Sequence, residues 1–380
     1  MTVDSQELNL FRDNIKRFFT QELLPHYPQW EKDAWMPREI WTRMGEQGLL
    51  CVDQDEAYGG AGVPFPYSAL ILEEAARLGL ASVATGLSVH SDICAPYIQH
   101  IGDAAQKAYW LPRLISGECV AAIAMTEPGA GSDLQSMRTT AIRQGDHYIL
   151  NGSKTFITNG QHAGLVIVAA KTNPQAGGKG ISLLLVDTNL PGFARGRKLE
   201  KLGLHAQDTS ELFFDQVKVP CDALLGEEGQ GFAYLMQELP RERLAIAVTA
   251  VASAEGVLAE TIRYVGERQA FGQAIARLQN CRFVIAQCAT EIACNRAFLD
   301  ACVERYLRGE LDVPTAAMVK MSATDLQGRV ADACLQLFGG YGYMTEYPVA
   351  RAFVDARVQR IYGGTNEIMK EVVARSLLGR

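Results

Sequence analysis

Apolar residues change their spacing twice along this chain. From about residue 4 to 118 they recur at three- and four-residue intervals, the period of an amphipathic helix. Met36-Pro37-Arg38 reads as a helix start, with proline where its missing N–H costs nothing, and Gly48 reads as the C-cap. Pro66–Leu80 and Asp103–Leu114 carry the same period. From about 119 to 225 the pattern becomes strand-like. His147–Leu150 and Lys154–Ile157 flank Asn151-Gly152, which predicts a hairpin because both turn residues tolerate positive φ. Leu165–Ala170 and Ile181–Val186 predict buried strands separated by Gly177-Gly178. Leu212–Phe214 and Val217–Val219 carry the sheet on to Pro220. From about 226 helices return and lengthen: Phe232–Val265, interrupted at Pro240, then Val284–Leu307 and Ala316–Leu337. The fold class is α+β, with helical residues 1–118, a β domain over 119–225 and helical residues 226–380. This is not the alternating βαβ order of a dinucleotide-binding fold.

Length and composition fit that division. The chain has 380 residues, enough for two or three packed units, and is 48% hydrophobic and 21% charged. A net charge of -7 argues against nucleic acid, whose phosphates need a basic surface. The opening MTVDSQELNLFRDN lacks the basic and apolar regions of a signal peptide, and no apolar run reaches membrane-spanning length. Nine scattered cysteines form no CxxC pair and do not cluster with the six histidines, so no metal site is read. Cys281, Cys288, Cys294 and Cys302 fall at near-helical spacing and read as buried positions on one helix. A reducing, cytoplasmic setting follows from this usage.

Four segments stand out, each with a plain alternative. Met125–Asp133, reading MTEPGAGSD, is a glycine-rich turn that lets a ligand approach the backbone, or an ordinary loop. Phe156-Ile157-Thr158-Asn159-Gly160 sets an aromatic beside a hydroxyl, as a flat cofactor would need or as a strand end would show. In Leu239–Leu244 a carboxylate lies between two arginines inside an apolar helix; taken alone it reads as a solvated ion-pair face. Phe338–Tyr343 and Ile361–Glu367 are glycine- and aromatic-rich breaks that could cradle phosphates and an adenine, or simply join helices.

Together, TEPGAGSD, FITNG, ERQAFGQ, QLFGGYGY…EYP and IYGGTNEI occur in the order and spacing of the acyl-CoA dehydrogenases, and the resemblance covers nearly the whole chain. It implies an N-terminal α-helical domain, a middle β-barrel-like domain and a C-terminal four-helix-bundle domain. It also implies bound FAD, an acyl-CoA substrate, electron-transfer flavoprotein as acceptor, and a homotetramer whose cofactor site is shared between subunits. Cofactor contacts carry over to Ile123, Met125, Thr126, Gly131 and Ser132 in the first loop, with Ser132 also touching the acyl-CoA. Phe156, Ile157 and Thr158 would line the isoalloxazine, with Thr158 near N5. Arg268, Phe271 and Gln279, with Gln336, Leu337, Phe338, Gly339 and Gly340, would be supplied by a second subunit; an arginine fork suits pyrophosphate. Thr365, Asn366 and Glu367 would meet the adenosine end, where glutamine is commoner than Glu367.

α,β-Dehydrogenation needs a base for the α-proton, a hydride acceptor, and donors that polarise the thioester carbonyl. In many members the base occupies the position held here by Gly363, within Tyr362-Gly363-Gly364-Thr365, and glycine cannot take a proton. In long-chain and isovaleryl-type members the base lies instead on the long C-terminal-domain helix, directly before an arginine. Glu242-Arg243 matches that pair. The resemblance therefore makes Glu242 the base, leaves Gly363 to offer its backbone N–H to the thioester oxygen, and gives Arg243 the task of ordering the Gly363-Gly364 segment, all within the substrate site. A related flavin enzyme acting on a carrier-protein thioester, or passing electrons to oxygen, is the alternative on the same fold. Ser88–Ile101, with small Ser88, Cys94 and Ala95, would line the far end of the acyl tunnel.

Overall fold

The computed structural model describes residues 5–379. Seven helices come first: α1 (Ser5–Phe18), α2 (Tyr27–Asp33), α3 (Glu39–Glu46), α4 (Phe65–Arg77), α5 (Ala81–Leu87), α6 (Ala95–Ile101) and α7 (Ala104–Ile115). Local chemistry sets their ends. Asp103 and Gln106 form a capping box at the start of α7, and Gly48 turns the chain past α3 with φ 64°. Helices α5 and α6 are one continuous helix whose middle, Ser88–Cys94, widens into a π-helical segment.

The sheet comprises β1 (Val120–Ala124), β2 (Thr140–Gln144), β3 (His147–Thr158), β4 (Ala163–Lys171), β5 (Ile181–Asp187), β6 (Phe193–Lys198), β7 (Thr209–Pro220) and β8 (Leu224–Leu225). Its path is β6-β7-β3-β2-β4-β5-β8, with β1 also paired to β4. Strand β2 meets β4 only at Thr140–Lys171, and β1 runs parallel along the earlier part of β4. The sheet bends there and is barrel-like, with no pairing of β6 to β8 among the described residues. Both faces of β4 and β5 are covered, which is why their sequences are continuously apolar. Leu165, Ile167, Leu183 and Leu185 join the core shared with the N-terminal helices, while Val166, Val168, Leu184 and Val186 line the sheet's own core.

The expected hairpin at Asn151-Gly152 is corrected. Strand β3 runs unbroken through both residues, and the turn lies earlier, at Gly145-Asp146 between β2 and β3. Asn151-Gly152 is a bulge, where the register against β7 shifts between Leu150 and Gly152. Gly152 has φ 147°, and a Cβ there would collide with Thr139. The same positive-φ tolerance that makes Asn-Gly a turn signal also serves a bulge.

Helix α8 (Gly231–Glu267) then leads to a short hairpin of β9 (Gln269–Ala270) and β10 (Gln273–Ala274). Helices α9 (Gln279–Leu307), α10 (Val313–Phe338), α11 (Pro348–Gln359) and α12 (Asn366–Leu378) follow. Helix α8 packs on α4, α9 and α10, and α11 and α12 pack on α10. The expected interruption at Pro240 is absent: α8 continues through it, forgoing one backbone hydrogen bond while its flanks are held by packing. By length and hydropathy α8 could span a membrane, but 61% of its apolar window is buried within the protein, as suits a central core helix. Of the four cysteines on α9, Cys288 and Cys302 are buried; Cys281 is half-buried and Cys294 exposed.

Candidate active site

Residues Leu239–Leu244 are not a solvated ion-pair face. Arg241, Glu242 and Arg243 are all buried, and Glu242 is only 4% exposed. Arg241 turns toward Asp53 and Asp92, and its Nε donates to the Asp92 backbone carbonyl at 3.1 Å. Burial works against the Arg241 charge, but the two carboxylates outweigh it and raise its pKa. Asp92 also accepts from Ser68, yet burial still pushes it up to about 6.

Glu242 points the other way. Its Oε1 accepts from Tyr97 Oη at 2.9 Å, across the seam between α6 and α8. Burial pushes its pKa up to about 7, the Tyr97 hydrogen bond and Arg243 pull it down, and Glu238 one turn earlier pushes it up. A carboxylate balanced near neutrality in a dry site is suited to proton abstraction.

Gly363 lies against α8 one turn beyond Glu242: a Cβ on it would collide with Ile246 Cδ1. Gly363 and Gly364 have φ 63° and 89°, which glycine adopts without strain. Arg243 Nη2 would lie 3.8 Å from a Cβ on Gly364, and Lys320 Nζ donates to the Gly364 carbonyl at 2.8 Å. The chain thus brings Glu242, Arg243, Gly363 and Gly364 together. Arg243 Nε and Nη1 are buried without a hydrogen-bond partner. Thr365 caps α12 through the Ile368 N–H, and Glu367 is exposed beside it. Asn366 is committed inward, bonding Lys320, Thr324 and Asp325, so its amide holds the loop and is spent before any ligand arrives.

The loop after β1 is tied to the end of β3. Thr155 N donates to the Thr126 carbonyl at 2.9 Å. Buried Lys154 donates to the Met125 carbonyl and to Glu127 Oε1, each at 2.9 Å. Burial pulls the Lys154 pKa down to about 8 against the pull of Glu127. These bonds set Ile123, Met125 and Thr126 beside Phe156 and Thr158, with Gly131 and Ser132 exposed on the same loop. Phe156 is 67% exposed at φ 60°, a flat apolar face held out from the strand, whereas Ile157 points into the sheet core.

The remaining residues form a second cluster. Arg268, Gln336, Leu337, Phe338, Gly339 and Gly340 line a depression of about 500 Å³ with Tyr264, Ile275, Tyr341 and Met344. The Arg268 guanidinium lies 5.3 Å over the Tyr341 ring. The Phe338 ring stacks on Tyr264 at 3.9 Å and is buried. Phe271, 90% exposed on the β9–β10 turn, and Gln279, at the start of α9, lie outside that lining.

Sequence reasoning did not single out Tyr97, Glu238, or the Asp53 and Asp92 partners of Arg241. The spacing of Tyr97 and His100, three apart, and of Glu238 and Glu242, four apart, is the signal that marks them as sharing helix faces.

Comparison with known proteins gives the family of the chain. Residues 5–118, 122–217 and 229–378 match the N-terminal, middle and C-terminal domain models of acyl-CoA dehydrogenase. Long-chain specific acyl-CoA dehydrogenase of Sus scrofa mitochondria is 50% identical over 376 residues, covering 98% of this chain and 87% of that protein. The crystal structure of an acyl-CoA dehydrogenase from Geobacillus kaustophilus superposes with a TM-score of 0.96 at 50% identity, covering 99% of this chain and 98% of that one. A glutaryl-CoA dehydrogenase from Mycobacterium smegmatis, solved in complex with FADH2, superposes at 0.93 with 28% identity over 100% and 96% of the two chains. The residues here fit such a cofactor. Phe156 offers an uncovered flat ring, and no atom lies within 4 Å of a Cβ built on Gly131, Gly339 or Gly340, so a ligand can approach those backbones. Arg268 lines the second cluster, and its guanidinium fork has the chemistry to pair with a phosphate.

Proposed function

The chain belongs to the acyl-CoA dehydrogenase family of FAD-dependent oxidoreductases, and from that we propose that it converts a fatty acyl-CoA to the trans-2-enoyl-CoA with Glu242 as the base. The observation that carries this reading is the buried Glu242 carboxylate, held by Tyr97 on the turn of α8 that faces Gly363.

Each residue has a physical task. Glu242 takes the α-proton, and its dry surroundings make it basic enough to do so. FAD, when bound, would supply the two-electron acceptor for the β-hydrogen. Gly363 offers its backbone N–H to the thioester carbonyl, unobstructed by a side chain, and so favours the enolate-like charge. Arg243 and Lys320 brace the Gly363-Gly364 turn from behind. Ser132, exposed on the first loop, is placed to meet the CoA moiety, and Phe156 and Thr158 to flank the flavin.

The identity to a long-chain relative supports a fatty acyl substrate. Small buried Ser88, Cys94 and Ala95 on the helix facing α8 leave room for a chain beyond the base. Electron-transfer flavoprotein is the proposed acceptor and a homotetramer the proposed assembly, in which the Arg268–Gly340 cluster completes a neighbour's cofactor site. The exposed Phe271 and Phe283 rings on the C-terminal domain suit burial between subunits. All nine cysteines are free, in keeping with a reducing cytoplasmic setting.

The test is Glu242→Gln. The variant should retain FAD and lose anaerobic flavin bleaching by palmitoyl-CoA and isovaleryl-CoA by a factor on the order of 10² to 10⁴. Bleaching at the wild-type rate sinks the assignment. A panel of straight and branched acyl-CoAs run on the wild type ranks the substrates.

A further inference from the structure

Four polar side chains meet across the α6–α8 seam in two facing pairs. Tyr97 and His100 lie one turn apart on α6; Glu238 and Glu242 lie one turn apart on α8. Tyr97 Oη donates to Glu242 Oε1 at 2.9 Å, and His100 Nδ1 lies 2.9 Å from Glu238 Oε1. Tyr97, Glu238 and Glu242 are buried, whereas the His100 side chain is 43% exposed. The ladder therefore runs from the base to solvent.

We propose that Tyr97 and Glu238 are positioning residues that set the proton affinity of Glu242 in opposite directions, with His100 holding Glu238 in place from the solvent side. The inference rests on Glu242 being the base. An O–H donor stabilises a charged acceptor more than a neutral one, so Tyr97 favours the carboxylate and holds Oε1 still. That leaves Oε2 as the atom to receive the α-proton. Glu238 is a like charge on the same face one turn away, and it favours the protonated form. A His100 imidazolium would offset part of that effect. Tyr97 keeps its own proton, since burial and the carboxylates raise its pKa well above the ordinary phenol value.

The other groups facing Glu242 do not reproduce this arrangement. Arg241 on α8 is turned to Asp53 and Asp92. Arg243 on α8 is the nearest cation, with Lys320 of α10 behind it engaged by Gly364 and Asn366. Cys94 of the π-helical segment stays a neutral thiol, because burial and Glu242 push its pKa up. Two buried carboxylates one turn apart are costly to keep, and an apolar pair would fill the seam without that cost.

The experiment uses the full-length FAD-loaded protein with Tyr97→Phe, Glu238→Gln and Glu242→Gln. Stopped-flow flavin reduction is followed from roughly pH 5.5 to 9, with whichever of palmitoyl-CoA and isovaleryl-CoA reduces the wild type faster. The rising limb should move to higher pH in Tyr97→Phe and to lower pH in Glu238→Gln, each by on the order of half to one unit. The Tm of each variant relative to wild type, over the same range, reads the same titration without turnover and should shift with the same signs. Limbs that stay put, or move the same way, overturn the proposal; so does a uniform loss of rate with the limb unmoved, which a packing defect would give. If Glu242→Gln still bleaches the flavin, the base assignment fails instead. If that variant is dead and the other two profiles match wild type, only this inference fails.

Discussion

As the proposed base, Glu242 would have to be charged to accept a proton, yet its surroundings favour the neutral acid. Its pKa is pushed up to about 7 by burial, so flavin reduction should rise with pH through about 7 and level off above it. The stability consequence has the opposite sense. A carboxyl whose folded pKa exceeds its unfolded value near 4.5 favours folding while protonated, and that contribution fades as pH rises from there to about 7. Glu242→Gln removes the buried charge while keeping an acceptor for Tyr97. It should therefore be more stable than wild type at pH 8, by on the order of 1–3 kcal/mol, with the gain disappearing near pH 5; thermal melts at the two pH values check this. Glu242 could be singled out as the candidate because Arg243 follows it directly and Gly363 stands where many relatives carry the base. Tyr97 could not, because its partner lies 145 residues away and a tyrosine in an apolar helix looks like core until that partner is known.

At the scale of elements, helices and buried strands were legible from local period alone, and the two misreadings share a cause. Asn151-Gly152 and Pro240 are both punctuation, and both were overruled by neighbours distant in sequence. Strand β3 carries on through its bulge because β7 pairs with it on both sides of Asn151-Gly152. Helix α8 carries on through Pro240 because α4 and α10 pack along it. The bulge makes a sharp prediction. Gly152 sits at φ 147°, and a Cβ would strike Thr139, whose Cα would lie 2.8 Å away. Gly152→Ala should cost roughly 2–4 kcal/mol, from strain and the clash together, read as a lower midpoint in urea. Strain placed between the Thr126 loop and Phe156 should also lower FAD occupancy in the purified variant. A simple hairpin turn at this position would tolerate the change far better.

Across the whole molecule, the order of helical, sheet and helical regions could be read because periodicity is written locally. The tie between them could not, because it is made of pairs. Arg241 joins α8 to Asp53 of the loop after α3 and to Asp92 of the π-helical segment. Arg241→Gln leaves two buried carboxylates without their cation and should cost about 3–5 kcal/mol near pH 8. The loss should shrink near pH 5, since burial already pushes Asp92 up to about 6 and its protonation would relieve the imbalance. Denaturant titrations at both pH values check the sign. The π-helical segment Ser88–Cys94 has a consequence of its own. Each residue advances an α-helix by about 100°, so the wider segment acts as a phase setting for everything after it. Its i→i+5 bonds take up one residue more than an α-helical turn, so deleting one there would let the segment close to regular α-helix with Tyr97 and His100 still facing α8. One residue added just beyond it, wound as α-helix, would instead carry Pro96 and Gln99 into those places, and the carboxylates of α8 would lose both partners with every original letter of the sequence still present.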